Sequence, residues 1–245
     1  MDWLRRLLGG ASTEGEASAE AAEKSASARA DTTHVDSARG DEPRNSGDVP
    51  PQRPAHGRRA GRWEERSAPG VAALLDGVAE DGSHSILDLG TAAPSSLGIY
   101  GRYGRRVRFA EVLDAARSAE GWPAALRALP PQPEDPYDLV FAWDILDRLY
   151  PQERPRLVEH LVRITRPGAR LHAVVESSER STTTPLRYAV LDEGRVQYQP
   201  VGPPRPAREP LLPAEVERLL APFEVDRAFT LKGGLREYVA IYRRE

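Results

Sequence analysis

A long stretch with almost no core-forming side chains limits how much of this chain can fold. Between residues 9 and 62, the only large aliphatic or aromatic residues are Val35 and Val49. Such a segment buries too little apolar surface to offset the conformational entropy lost on folding. We therefore expect a disordered tail over residues 1–62 and a single folded domain over residues 63–245, which is long enough to bury a core.

The first eight residues differ from the rest of this tail. On a helix, their apolar side chains would share one face, which consists of Trp3, Leu4, Leu7 and Leu8. This pattern fits a short membrane-surface anchor or a docking peptide. A helix of two turns is only marginally stable by itself, however, so we expect this segment to fray rather than to contact a membrane.

Charge and cysteine content exclude several classes of function. The formal net charge is −3 at pH 7, which is not a nucleic-acid-binding signal. The chain has no cysteine, so disulfides, thiolate metal sites and cysteine nucleophiles are excluded. Its histidines lack metal-binding spacing, and it contains no phosphate-binding loop or G-x-S-x-G motif. We expect a cytoplasmic protein without a metal site.

Hydrophobic patterning divides the domain into alternating strands and helices. Short apolar segments predict strands at residues 86–89, 107–112, 137–143 and 169–175. Helical spacing of apolar residues predicts helices at 72–78, 95–103, 115–129 and 154–165. Because the connections are short, this alternation predicts a doubly wound α/β sheet.

The last third of the chain predicts antiparallel hairpins instead. One spans residues 186–201 around Asp192-Glu193-Gly194, and the other spans residues 223–242 around Lys232-Gly233-Gly234. A proline-rich loop and a short helix at 213–220 separate them. The sheet should therefore be mostly parallel, with an antiparallel C-terminal strand pair.

The predicted ligand-binding edge follows from this fold class. In an open α/β sheet, ligands bind beyond the carboxyl ends of the strands, where the strand order reverses. Gly90 provides a tight turn after the strand at 86–89. Glu111 follows about 20 positions later, the spacing expected of a carboxylate that accepts hydrogen bonds from ribose. Asp114 is the alternative, and Glu111 would then be an ordinary surface acid.

Four segments of the domain, taken in order, resemble the class I S-adenosylmethionine-dependent methyltransferases. They are ILDLG at 86–90, similar to the first motif; YDLVFAWDIL at 137–146, similar to the fourth strand and its exit; RPGARL at 166–171, similar to the turn into the fifth strand; and the closing hairpin at 223–242. The resemblance covers nearly all of residues 63–245. It implies a Rossmann-like methyltransferase sheet and a methyltransferase activity with S-adenosylmethionine as cofactor.

The chain departs from this family at two places. Ala92 and Pro94 stand where the family usually has glycines, so the glycine-rich motif is degenerate. Between Glu111 and Tyr137 we find no third strand, on which the family usually places an acidic residue against the adenine. A non-catalytic methyltransferase-like scaffold or interaction protein is therefore the alternative function.

The resemblance also implies which residues bind the cofactor: Asp88, Gly90, Ala92, Glu111 and Asp144. Asp88 would lie near the cofactor's amino group, or else cap the following helix as a turn carboxylate. Asp144 would face the pocket, or else cap residues 145–149. The sequence identifies neither a catalytic residue nor the methyl acceptor, which could be a small molecule or a protein.

Overall fold

The computed structural model describes residues 61–116, 118–132, 134–176, 182–206 and 209–244. The predicted tail and its amphipathic start lie outside the described residues, except for Gly61 and Arg62, and both stay predictions. None of the described helices is long and apolar enough to cross a membrane.

A mixed sheet of six strands forms the centre of the fold. Its strands are β2 (His84–Asp88), β3 (Gly104–Phe109), β4 (Tyr137–Trp143), β5 (Thr165–Glu176), β10 (Phe223–Thr230) and β11 (Leu235–Tyr242). They are arranged in the order β10-β11-β5-β4-β2-β3. β3, β2, β4 and β5 are parallel, whereas β11 is antiparallel to both β5 and β10. The predicted fold class, with its antiparallel C-terminal pair, is confirmed.

Seven helices connect or cover these strands within the described part of the chain. They are α1 (Pro69–Leu75), α2 (Pro94–Tyr103), α3 (Val112–Ala115), α4 (Trp122–Ala128), α5 (Ile145–Arg148), α6 (Arg154–Ile164) and α7 (Pro213–Leu220). From β2 the chain moves through α2 to β3, and from β4 it moves through α6 to β5 in the opposite direction. Right-handed crossovers then place α2 and α6 on opposite faces, which makes the sheet doubly wound.

A second sheet of three strands packs beside the carboxyl edge of the first. It contains β1 (Glu64–Ser67), β7 (Leu186–Asp192) and β8 (Arg195–Pro200), in the order β1-β8-β7. A two-residue pair, β6 (Thr182–Thr183) with β9 (Arg205–Pro206), completes the described strands. β1 has the sequence EERS and lacks an apolar alternation, so the sequence pattern does not reveal it.

Two predicted elements differ from the structure between β2 and β4. β3 ends at Phe109, before its predicted end at Val112, because Glu111 adopts a left-handed backbone conformation with φ 51°. The predicted helix 115–129 is shortened to α4, which begins after Gly121 with φ 57°, whereas α3 ends at Ala115. The described residues between β3 and β4 contain no strand, as the sequence indicated.

β5 is longer than its prediction at 169–175. The chain passes directly from α6 into the strand, and Gly168 adopts φ 85° inside it. The pairing with β4 shifts at this point, from Tyr137 opposite Thr165 to Leu139 opposite Arg170. The Pro167-Gly168 turn signal thus produces an irregularity within the strand rather than its start.

Candidate active site

The ends of β2, β3 and β4 meet where the strand order reverses. The backbone N–H of Ala110 donates to the Asp88 carbonyl at 2.8 Å, and that of Glu111 donates to the Gly90 carbonyl at 3.1 Å. Leu89 N–H donates to the carbonyl of Phe141, in β4, at 3.0 Å. Three of the predicted cofactor residues, Asp88, Gly90 and Glu111, therefore lie at one edge of the sheet, as expected.

Asp88 is buried, and both of its carboxylate oxygens bind groups of this chain. Oδ1 accepts the N–H of Gly90 at 2.7 Å and the indole N–H of Trp143 at 2.6 Å, while Oδ2 accepts the hydroxyl of Tyr100 at 2.7 Å. Burial raises the pKa of Asp88 to about 6, although these three hydrogen bonds act to lower it. The carboxylate therefore organises the turn after β2. It does not cap α2, whose N-terminal Ala93 forms no side-chain capping bond.

Trp143 lies between this turn and the second sheet. It is fully buried and has φ 52°, a rare conformation for a bulky side chain. Its ring stacks on Tyr188 of β7 with the planes parallel and the centroids 4.9 Å apart. A Cβ atom added to Gly90 would lie 3.3 Å from the Trp143 indole nitrogen, so Trp143 occupies the space beside that glycine.

Glu111 and Ala92 lie at the outer side of the same edge, and both are exposed. The Asp114 carboxylate accepts the Thr91 hydroxyl at 2.6 Å and lies 3.9 Å from Arg187. Of the two acids that the sequence offered for ribose, Asp114 is thus engaged within the protein, whereas Glu111 has the more exposed carboxylate. That Glu111 and Ala92 bind the cofactor stays a prediction.

Asp144 follows β4 and precedes α5. It makes no side-chain capping bond to that helix. Its carboxylate instead accepts a hydrogen bond from Arg148 at 2.8 Å, and Arg148 also donates to the Leu186 carbonyl of β7. Asp144 lines a cavity. That it binds the cofactor stays a prediction.

This cavity has a volume of about 1140 Å³. Its walls come from β1, the segment between β4 and α5, the end of β5, β6, the hairpin of β7 and β8, and the turn between β10 and β11. It therefore lies beyond the carboxyl ends of β4 and β5, beside the position where the strand order reverses. Ligands bind at this edge in open α/β sheets.

Asp147 is the most perturbed acid of the cavity wall. Burial raises its pKa to about 7, with smaller effects from the carboxylates of Asp144 and Glu176 in the same direction. Its Oδ2 accepts the backbone N–H of Glu176 at 2.8 Å. A carboxyl group with a pKa near neutrality, at the wall of a cavity, is suited to general acid–base chemistry.

The residues at this edge meet one requirement for binding S-adenosylmethionine and do not meet another. Its ribose hydroxyls need an acceptor, and the exposed Glu111 carboxylate provides one. Its amino group would find the oxygens of Asp88 already bound to internal donors. Close approach to the Gly90 backbone is restricted by Trp143.

Solved structures similar to this chain include methyltransferases. An S-adenosylmethionine-dependent methyltransferase from Mesorhizobium loti is 14% identical with a TM-score of 0.42, over 71% of this chain and 96% of its own. NodS, an N-methyltransferase from Bradyrhizobium japonicum WM9, is 12% identical with a TM-score of 0.41, over 72% and 96%.

A third similar structure is the 1,6-didemethyltoxoflavin-N1-methyltransferase of Burkholderia thailandensis, with bound 1,6-didemethyltoxoflavin and S-adenosylhomocysteine. It is 16% identical with a TM-score of 0.41, over 72% of this chain and 77% of its own. No protein-family model and no curated protein matches the chain. At such low identities and TM-scores, these likenesses assign no activity to it.

Sequence reasoning did not identify Arg66, Asp147 or Glu176 as residues of the cavity wall. A signal existed for Asp147, because it lies one helical turn after Asp144 and shares its side of a short helix. No local signal exists for Arg66, which reaches the cavity only because β1 pairs with β8, far away in the sequence.

Proposed function

We propose that this protein transfers a methyl group from S-adenosylmethionine to an acceptor that binds in the cavity beyond β4 and β5. The observation that carries the proposal is the position of this cavity beyond the carboxyl ends of β4 and β5, at the same edge of the sheet as Gly90 and the exposed Glu111. Asp144 belongs both to the predicted cofactor residues and to the cavity wall.

Methyl transfer makes modest demands on the protein. When bound, the cofactor supplies an electrophilic methyl group on its sulfonium sulfur. The protein must hold the acceptor in line with that group and exclude water. Neither task requires a nucleophilic side chain. Glu111 would hold the ribose, while Tyr188 and Tyr198 would form aromatic walls around the acceptor.

Calorimetric titration of the full-length chain with S-adenosylhomocysteine tests this function. We expect micromolar binding, and we expect Glu111→Ala to weaken it by at least ~10-fold, about 1.4 kcal/mol. The physical reason is that hydrogen bonds to a charged group contribute roughly 1.5–3 kcal/mol each, and Glu111 can accept two from ribose. Glu217→Ala, which removes an exposed acid of α7, is the matched control and should leave binding unchanged.

Two results would contradict the proposal in different ways. No detectable heat at millimolar ligand would refute cofactor binding. Binding that does not depend on Glu111 would keep the cofactor but refute the ribose contact.

A non-catalytic scaffold is the second candidate, and a specific observation favours it. The turn after β2 is held by internal contacts, since Asp88 accepts three hydrogen bonds from the protein and Trp143 packs beside Gly90. A scaffold would give no heat with S-adenosylhomocysteine, so the same titration separates the two functions.

A further inference from the structure

The charged groups of the cavity wall differ in whether the protein neutralises them. Arg66 donates to Glu237 at 2.8 Å, and Asp144 is paired with Arg148 at 2.7 Å. Asp147 receives the backbone N–H of Glu176 on Oδ2, and no described residue donates a hydrogen bond to its Oδ1. Lys232 belongs to the exposed turn between β10 and β11, at the rim. The cavity wall therefore contains a carboxyl group, Asp147, with one oxygen that accepts no hydrogen bond from the described residues.

The uncharged lining of the cavity combines apolar and aromatic side chains with serine and threonine hydroxyls. Its apolar surface comes from Leu186 and Tyr188 on β7, Tyr198 on β8 and Leu235 on β11. A pocket that combines apolar walls with one anchoring carboxylate selects a ligand with an apolar body and a cationic group. An ionised Asp147 would repel a carboxylate ligand.

We propose that the methyl acceptor is the nitrogen of an amine with an apolar body, that it enters the cavity as an ammonium ion, and that the Asp147 carboxylate binds it and takes its proton. This inference rests on the proposed function and specifies its substrate class. An alcohol acceptor would need a much stronger base than a carboxylate, because an alkyl hydroxyl is far less acidic than an ammonium group.

The step balances with the groups that this cavity holds. A proton moves from the ammonium nitrogen to an Asp147 oxygen, which leaves the nitrogen with a free electron pair. That pair forms the new N–C bond as the methyl–sulfur bond breaks, and the electrons of the broken bond stay on sulfur. The product is a methylated ammonium ion, and Asp147 returns its proton to solvent through the open cavity.

The environment of Asp147 suits this role. Because burial and the neighbouring acids raise the pKa of Asp147 to about 7, roughly half of its carboxyl groups are ionised at neutral pH. An ordinary aspartate would be a much weaker base. A bound ammonium ion stabilises the ionised form and so favours binding before the proton moves.

Binding of two matched probes, measured by calorimetry on the full-length chain without cofactor, tests the proposal. The probes are 2-phenylethylamine and its neutral analogue 2-phenylethanol. We expect the amine to bind at least about tenfold more tightly than the alcohol at pH 8. This preference should shrink as the pH falls from 8 to 5, because Asp147 gains a proton over that interval and loses its charge.

Three variants separate a binding role from a structural one. Asp147→Asn should abolish the preference for the amine, whereas Asp147→Glu should retain part of it because the charge remains. Asp226→Asn, which removes an exposed acid of β10, should leave the preference unchanged. Melting curves of each variant establish that it is folded.

The proposal is overturned if the amine does not bind, if the alcohol binds equally well, or if Asp147→Asn keeps the preference. It is equally overturned if the preference is independent of pH. No cofactor is present in these titrations. Failure of the amine to bind would therefore not refute cofactor binding, and failure of S-adenosylhomocysteine to bind would not refute amine binding.

Discussion

Asp88 illustrates how a residue with a ligand-binding signature takes a structural role in the fold. Its two oxygens accept three internal hydrogen bonds, from the turn at Gly90, from Trp143 of β4 and from Tyr100 of α2. The buried carboxylate thereby joins three elements at the edge where the strand order reverses. It keeps Trp143 in its left-handed conformation beside Gly90.

We expect Asp88→Ala to destabilise the protein strongly. The substitution leaves three buried donors without an acceptor, and each such group costs roughly 1–3 kcal/mol. A loss of about 3 kcal/mol or more corresponds to a decrease in Tm of roughly 6–12 °C for a domain of this size. Thermal melting followed by circular dichroism measures this decrease.

Tyr100→Phe provides the comparison for this substitution. It removes only one of the three donors and leaves the carboxylate with two partners. Its Tm should decrease much less than that of Asp88→Ala. Equal decreases for the two variants would show that Asp88 is not the common acceptor.

The packing of α1 on the sheet depends on an approach that only glycine permits. The Gly70 N–H donates to Glu237 Oε2 of β11 at 2.6 Å, and Arg66 of β1 donates to the other oxygen at 2.8 Å. Burial acts to raise the pKa of Glu237, but His172, Arg66 and the Gly70 N–H hold it below its ordinary value. One ionised carboxylate thus connects α1, β1 and β11.

We expect Gly70→Ala to lower stability by about 1–3 kcal/mol, the usual cost of overpacking a core. A Cβ atom at this position would lie 2.8 Å from the Cβ of Glu237 and 3.0 Å from Cδ2 of His172, so α1 or β11 must move. Urea denaturation monitored by tryptophan fluorescence measures the change.

Gly98→Ala is the matched control, because Gly98 lies in α2 and a Cβ there meets no atom within 4 Å. That variant should gain roughly 0.5–1 kcal/mol from the higher helix propensity of alanine. The two substitutions are therefore expected to change stability in opposite directions. A stabilising Gly70→Ala would contradict the close packing of α1 on β11.

The two sheets together form the cavity. The β7–β8 hairpin is held over α2 by Ser96, whose hydroxyl accepts the Val190 N–H at 3.0 Å, and by Gln197, whose amide donates to the Ser95 hydroxyl at 2.6 Å. β1 pairs with β8 at the outer side of this hairpin. The folded unit therefore needs the chain from β1 onward.

Truncation tests where the folded unit begins. We expect deletion of residues 1–60 to leave the Tm unchanged, because that segment has almost no core-forming side chains. Deletion of residues 1–67 removes β1 and with it the Arg66–Glu237 ion pair, so the Tm should fall. Differential scanning calorimetry of both truncations measures the effect. A clear decrease in Tm for the shorter deletion would show that the tail packs on the domain.

Much of the fold could be predicted from local patterns. The continuous apolar run YDLVFAW predicts β4 with the bounds that the structure has, and α7 likewise agrees at Pro213–Leu220. Both are short segments, and the order of apolar residues within each segment is enough to predict it. The region between β3 and β4 could not be predicted as well. Glu111 before α3 and Gly121 before α4 both adopt a left-handed backbone conformation, and their residue types alone do not show that they do so.

The binding edge was predictable in position but not in its contacts. Strand order and the turn after β2 place Gly90 and Glu111 together, since parallel strands bring their carboxyl ends to one edge of a sheet. Which acid remains free for a ligand depends on neighbours far away in the sequence. Asp88 is buried and accepts hydrogen bonds from Trp143 and Tyr100, whereas Glu111 is exposed.

The sequence by itself determined the fold class, because the alternation of apolar periods depends only on neighbouring residues and permits few topologies. It also predicted that Gly90 and Glu111 lie at one edge of the sheet, where the structure places them. Only the tertiary structure decided the cavity and the raised pKa of Asp147. The physical reason is that burial and electrostatic environment are set by side chains from distant segments, here β1, β5 and the β7–β8 hairpin, and these meet only when the chain folds.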